Sequence, residues 1–256
     1  FRVFSSMFAK PFITLTASLL ALACSDDQPS PSPTRDANDD SPIAPAGLNV
    51  TARAGGCGVL ELVALTLREG TKNGELYVAL KNAGTSPACS PSFSAELYGE
   101  AEQPLATGLG GLLVHGFYRL TDGSETVAGC VAPGEVAMVA ITDLPTELAT
   151  TNVSRVTYGC NFWMLDVEPI DGVRVEDVRT VARGSGVSYT GALVNGLAVP
   201  LAQPSVAVFP VTRVGRPLGV AFGNGVVDVP PGASWEFETN TVTEAGDASV
   251  AYPAHG

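Results

Sequence analysis

From Leu48 onward the apolar residues recur with a period of two, and Gly- and Pro-rich turns cut the pattern into short pieces. Leu65-Thr66-Leu67-Arg68 alternates, as does Ser234-Trp235-Glu236-Phe237-Glu238, which puts Trp235 and Phe237 on one face and the acids on the other. Val173-Arg174-Val175-Glu176 starts in the same way, but Val178 falls out of phase, so a bulge is expected near Asp177. Turn chemistry stands at Lys72-Asn73-Gly74, Thr121-Asp122-Gly123, Ala132-Pro133-Gly134 and Pro230-Pro231-Gly232. No window sustains a long amphipathic helix; Pro145 to Thr151 has room for a turn or two. The expected class is all-β, built as antiparallel sandwiches. With 256 residues, 45% of them hydrophobic, there is material for two modest cores. A net charge of −12 argues against nucleic acid as a partner.

Sliding the chain along itself by 113 residues lays Ala79-Leu80-Lys81-Asn82 on Ala192-Leu193-Val194-Asn195. Without a gap, Pro87 meets Pro200, Pro91-Ser92 meets Pro204-Ser205, and Pro104-Leu105 meets Pro217-Leu218. Val131-Ala132-Pro133-Gly134 then matches Val229-Pro230-Pro231-Gly232 at a shift of 98. The shortfall of 15 residues is an insertion in the first copy around His115 to Cys130, which reads as an added hairpin. Two tandem sandwiches, 48–170 and 171–256, are expected.

The start of the chain reads differently. Arg2 and Lys10 precede the apolar run Phe12 to Ala23, and a translation start at Met7 or upstream leaves Lys10 in place. As a helix this run spans about 18 Å, short of the ~30 Å hydrocarbon core. It reads as a secretory signal peptide over 1–23. Residues 24–47 are rich in Pro, Ser and Asp, with little to offset ordering entropy, and are expected to form a disordered spacer reaching roughly 70 Å.

Leu20-Ala21-Leu22-Ala23-Cys24 resembles the lipobox of bacterial lipoproteins, with Ala21 where that motif more often has Leu. The resemblance implies acylation of Cys24, a lipid bilayer as partner, and a place in the bacterial cell envelope. Ser25 after the Cys then favours the outer membrane or cell surface over the inner membrane. Downstream, Asn82, Leu97-Tyr98, Leu105 and Pro133-Gly134, with Asn195, Phe209, Leu218 and Pro231-Gly232 in the second copy, resemble FxLYD-type, immunoglobulin-like modules of bacterial envelope proteins. Gly99 and Pro210-Val211 depart from that pattern. The resemblance covers most of 60–145 and 173–240 and implies a non-catalytic scaffold, since fold likeness alone assigns no activity.

Setting Cys24 aside leaves Cys57, Cys89, Cys130 and Cys160, which allow three pairings in an exported protein. Cys89 precedes a strand and Cys130 a Pro-Gly turn, both near strand ends, which favours Cys89–Cys130 with Cys57–Cys160 closing the module. There is no Cys-x-x-Cys, and His115 and His255 are the only imidazoles, so no metal site, no cofactor and no catalytic residue is expected. Gly108-Leu109-Gly110-Gly111 has no Lys behind it and reads as a strand edge or turn. Glu61, Asp166, Glu168 and Glu236 read as the outward faces of strands. The binding candidates are Phe162 and Trp163 in Asn161-Phe162-Trp163-Met164-Leu165, either an exposed recognition strip or, more commonly for such a run, core or an interdomain seam.

These observations point to an anchored, non-enzymatic binding or structural scaffold with an envelope protein or a glycan as partner. The alternatives are an exported, glycan-directed hydrolase with acids around a cleft at Ile170–Gly172, and an inhibitor or immunity lipoprotein.

Overall fold

The computed structural model describes residues 43–69, 73–122, 127–145, 152–170 and 172–255. The signal segment, Cys24, most of the spacer and most of the helical turn expected at 145–151 lie outside the described residues. In chain order the first strands are β1 (Asn49–Ala52), β2 (Leu60–Glu69), β3 (Gly74–Asn82), β4 (Ala88–Tyr98) and β5 (Pro104–Gly111). Then come β6 (Gly116–Leu120), β7 (Val127–Val131), β8 (Val136–Leu144), β9 (Arg155–Trp163) and β10 (Val167–Ile170). The remainder are β11 (Val173–Arg183), β12 (Gly186–Asn195), β13 (Pro204–Val211), β14 (Ala221–Asn224), β15 (Ser234–Glu238) and β16 (Ala248–His255). The chain is all-β, in several antiparallel sheets.

Alternation decides which side chains meet. One sheet, β2-β3-β8, turns Leu65, Leu76, Val78, Leu80, Val139 and Ile141 inward. Opposite them, β4 and β9 supply Phe93, Ala95, Leu97 and Val156. Gly108 and Gly110 of β5 let the sheets approach: a Cβ on either would come within 2.8 Å of Ile141 or Val139. The second half repeats the plan, with β11-β12-β15 facing β14-β13-β16 around Tyr189, Leu193, Val206, Val208 and Phe237.

The internal repeat has a physical counterpart. Asn82 and Asn195 are both wholly buried. Asn82 Nδ2 donates to the carbonyls of Ser86 (2.9 Å) and Val131 (2.8 Å), and its Oδ1 accepts from Gly84 N (2.9 Å). Asn195 Nδ2 donates to Val199 (2.9 Å) and Val229 (2.8 Å), and its Oδ1 accepts from Leu197 N (2.9 Å). Each partner sits at the shift found in the sequence, and each Asn carbonyl accepts from the glycine of its Pro-Gly turn, Gly134 or Gly232. Ser90 and Gln203, also equivalent, both take left-handed φ (47° and 45°) just before matched prolines. The bulge expected near Asp177 lies between Glu176 and Arg179, with Asp177 at φ 54°, and β2 is bulged close to the corresponding place, between Leu62 and Ala64.

The insertion of the first copy is the hairpin β6–β7, paired from Gly116↔Cys130 to Arg119↔Val127. β10 adds to its outer edge. Phe117 on this hairpin leaves its own sandwich and packs into the core of the second half beside Val173.

Ile43, within the 24–47 stretch read as spacer, pairs with β2, donating to Val63 O and accepting from Leu65 N. The two halves also pack on each other. β3 and β13 are buried on both faces, and a third core joins the outer faces of their sheets. Tyr77, Ala79 and Met138 meet Ala207, Phe209, Val211 and Tyr252 there, and Tyr252 Oη donates to Val136 O at 2.9 Å.

Two phenols in that third core set an alkaline limit. Burial first, then a hydrogen bond to Glu75, pushes Tyr77 above its ordinary pKa; burial, then the Glu135 charge, does the same to Tyr252. Their raised folded-state pKa means that unfolded chains ionise first, so stability held below about pH 10 is lost as pH rises beyond it. The urea midpoint is expected to stay level from pH 8 to 9.5 and to fall above pH 10. A flat profile to pH 11 would contradict this.

Candidate binding face

Cys57 is bonded to Cys160 and Cys89 to Cys130, the pairing favoured from strand-end placement. Cys89 and Cys130 face each other directly in the β4–β7 register, so this bridge pins the inserted hairpin to β4. Cys57–Cys160 ties the approach to β2 to the middle of β9.

On β9 the even residues Val156, Tyr158, Cys160 and Phe162 turn toward the core, so Arg155, Thr157, Gly159, Asn161 and Trp163 share the opposite, solvent face. The two binding candidates therefore part company. Phe162 is half-buried against the first core, and a Cβ on Gly58 would come within 2.9 Å of its Cζ. Trp163 is 64% exposed, and Met164 beside it is 52% exposed. The run is core on one side and surface on the other, a split that adjacency in a strand dictates.

A polar network lies on the same face as Trp163. Ser92, Ser94, Glu96 and Tyr98 of β4 stand opposite Asn161, Gly159, Thr157 and Arg155. The Tyr98 hydroxyl donates to Glu96 Oε2 (2.7 Å), Arg53 Nη2 pairs with Glu96 Oε1 (3.0 Å), and Thr157 Oγ1 donates to Glu96 Oε2 (3.3 Å). The Tyr98 hydrogen bond, with Arg53 beside it, holds the Glu96 carboxyl below its ordinary pKa, and the same bond raises that of Tyr98. The Arg155 guanidinium lies over the Tyr98 ring, 4.2 Å from its centroid, and pairs with Glu102. The result is a sheet face with guanidinium, hydroxyl and carboxylate groups ordered around the start of β9, while the exposed indole stands at the far end of the same strand. Sequence reasoning missed Arg53, Glu96 and Arg155 and marked Tyr98 only as part of the module resemblance, because the four meet only through strand register.

The other residues weighed for chemistry are dispersed. Glu61, Asp166, Glu168 and Glu236 are all exposed, on or beside three different sheets. At the junction, Ile170 packs on the second core, and a Cβ on Gly172 would sit 2.7 Å from the Phe117 side chain. His115 stacks on Tyr252, and His255 ends β16. Among the described residues no group of three or more His, Cys, Asp or Glu is placed to hold a metal ion.

No known family profile matches the chain, and no curated protein matches it. Among solved structures, red sea bream transglutaminase aligns over 77% of this chain at 10% identity and a TM-score of 0.21. The chain spans 27% of that protein's length, and at this score the likeness carries no argument.

Proposed function

We propose that this protein is a bacterial envelope lipoprotein, anchored through an acylated Cys24, whose β body acts as a passive binding or structural scaffold. The observation that carries the reading is the apolar run ending in Leu20-Ala21-Leu22-Ala23-Cys24 ahead of a Pro/Asp spacer. Multiple acyl chains at one residue would give a durable anchor at about 0.8 kcal/mol per buried CH₂.

The immunoglobulin-like reading of each half is supported by its strand order. A three-stranded sheet of first, second and fifth strands faces one of third, fourth and sixth, and β1 joins the first half by running parallel to β9. In this reading the β4–β9 face meets an envelope protein or a glycan, with the indole at one end as an apolar anchor and the Arg53–Glu96–Tyr98 network toward the other end supplying polar contacts. No reaction is assigned.

The test is metabolic. Cells fed an alkyne-tagged fatty acid are expected to label the wild-type chain and to leave Cys24→Ser unlabelled and released from membranes. Equal labelling of the two would overturn the anchor.

A further inference from the structure

A cavity of about 430 Å³ opens where the outer faces of the β2-β3-β8 and β14-β13-β16 sheets meet. Val63, Met138, Val211, Val250 and the Tyr252 ring form its walls. Val214 lies on the rim, 58% exposed, on a turn in which Gly215 takes φ 82° and its N–H donates to Thr212 O. Rigid sheets on both sides keep the space open, since neither can shift without disturbing the third core.

Two titratable side chains other than the Tyr252 phenol line the space, His115 and Glu135. His115 lies flat on Tyr252, ring centroids 4.2 Å apart, and burial outweighs the Glu135 charge in pushing its imidazole toward the neutral form. The Tyr252 hydroxyl is turned to Val136 O. Glu135 accepts from Ala132 N through Oε2 at 3.0 Å, and no Lys or Arg among the described residues pairs with it. The lining is thus almost wholly aliphatic and aromatic carbon, with the His115 imidazole and Glu135 as its ionisable residues and no fixed positive charge. An inorganic cation would find at most one carboxylate and one imidazole among carbon walls, which is too little to replace its hydration shell. An apolar molecule without charge would leave the carboxylate without a counter-charge.

We propose that the seam cavity binds an organic cation with an apolar body, its ammonium beside Glu135 and its carbon against the valines and the Tyr252 ring. Carbon burial supplies the affinity, and the carboxylate supplies the preference for positive charge.

The full chain carrying Cys24→Ser, which removes any acyl anchor and the need for detergent, is titrated calorimetrically at pH 7. The probes are decylammonium, decanol and decanoate, each below its self-association concentration. Decylammonium is expected to bind at least tenfold more tightly than decanol, with decanoate weakest. Glu135→Gln keeps an acceptor for Ala132 N and is expected to bring decylammonium down to the decanol value. Val214→Trp, a change at an exposed rim position, is expected to weaken all probes at least tenfold. With only two histidines in the chain, the His115 ring protons give a second readout, shifting saturably with decylammonium in the parent and not in Val214→Trp. Equal affinities for the three probes, no binding of any, or an undiminished cation preference in Glu135→Gln would overturn the proposal.

Discussion

Replacing Asn195 by alanine is expected to remove about 4 kcal/mol of stability, a large share of the ~5–15 kcal/mol typical of a folded domain. The side chain is wholly inside, and its amide joins three backbone groups: the carbonyls of Val199 and Val229 and the N–H of Leu197. Truncation strands all three where water does not readily replace it, at about 1–3 kcal/mol for each group left without a partner. Asn82→Ala should cost a similar amount, because Ser86 O, Val131 O and Gly84 N depend on Asn82 in the same way. Asn195→Asp is a sharper probe. It keeps the acceptor for Leu197 N but loses both donors and brings a charge inside, so at pH 7 it should be at least as damaging. Asn161→Ala, on the exposed face, serves as control and should stay within about 0.5 kcal/mol of the parent. Urea denaturation followed by circular dichroism measures all four; a loss below 1 kcal/mol for Asn195→Ala would refute the account.

Removing the Cys57–Cys160 bridge by paired alanines should cost about 5 kcal/mol. The bonded residues are 103 apart, so the bridge withdraws much of the freedom of the unfolded first half. The Cys89–Cys130 bridge closes a separation of 41 residues, for which the same reasoning gives about 4 kcal/mol. For a body of this size the larger loss corresponds to a melting temperature lower by roughly 10–20 °C. The third core adds a qualitative expectation. Because Tyr77 and Met138 pack on Phe209 and Tyr252, loss of either bridge or either asparagine should move a single transition for both halves, not split it in two. Two well-separated calorimetric peaks in the parent would show that the seam couples them weakly.

Much of this architecture can be read in the sequence because turn chemistry is local. The Pro-Gly turns, the strand-end asparagines and the out-of-phase Val178 each report a backbone requirement within a few residues. The inserted hairpin follows from a change of shift between two aligned turns. The third core is harder to read. Leu76-Tyr77-Val78-Ala79-Leu80 and Val206-Ala207-Val208-Phe209 are unbroken apolar runs, the mark of strands covered on both sides, but a run does not say what covers its second face. For the same reason Phe162 and Trp163 could be flagged together but not separated, since only the position of the core tells which parity points inward. The Arg53–Glu96–Tyr98–Arg155 network needs three strands in register, and register is a tertiary fact.

β1 runs parallel to β9, with Asn49 opposite Arg155 and Ala52 opposite Tyr158. The start of β1 and the end of β9 therefore lie at opposite ends of the pair. Tension between the leading chain and the second half pulls these strands lengthwise past each other, so their bonds share the load together instead of opening in succession like a zipper. A body joined in this way is built to resist being tugged.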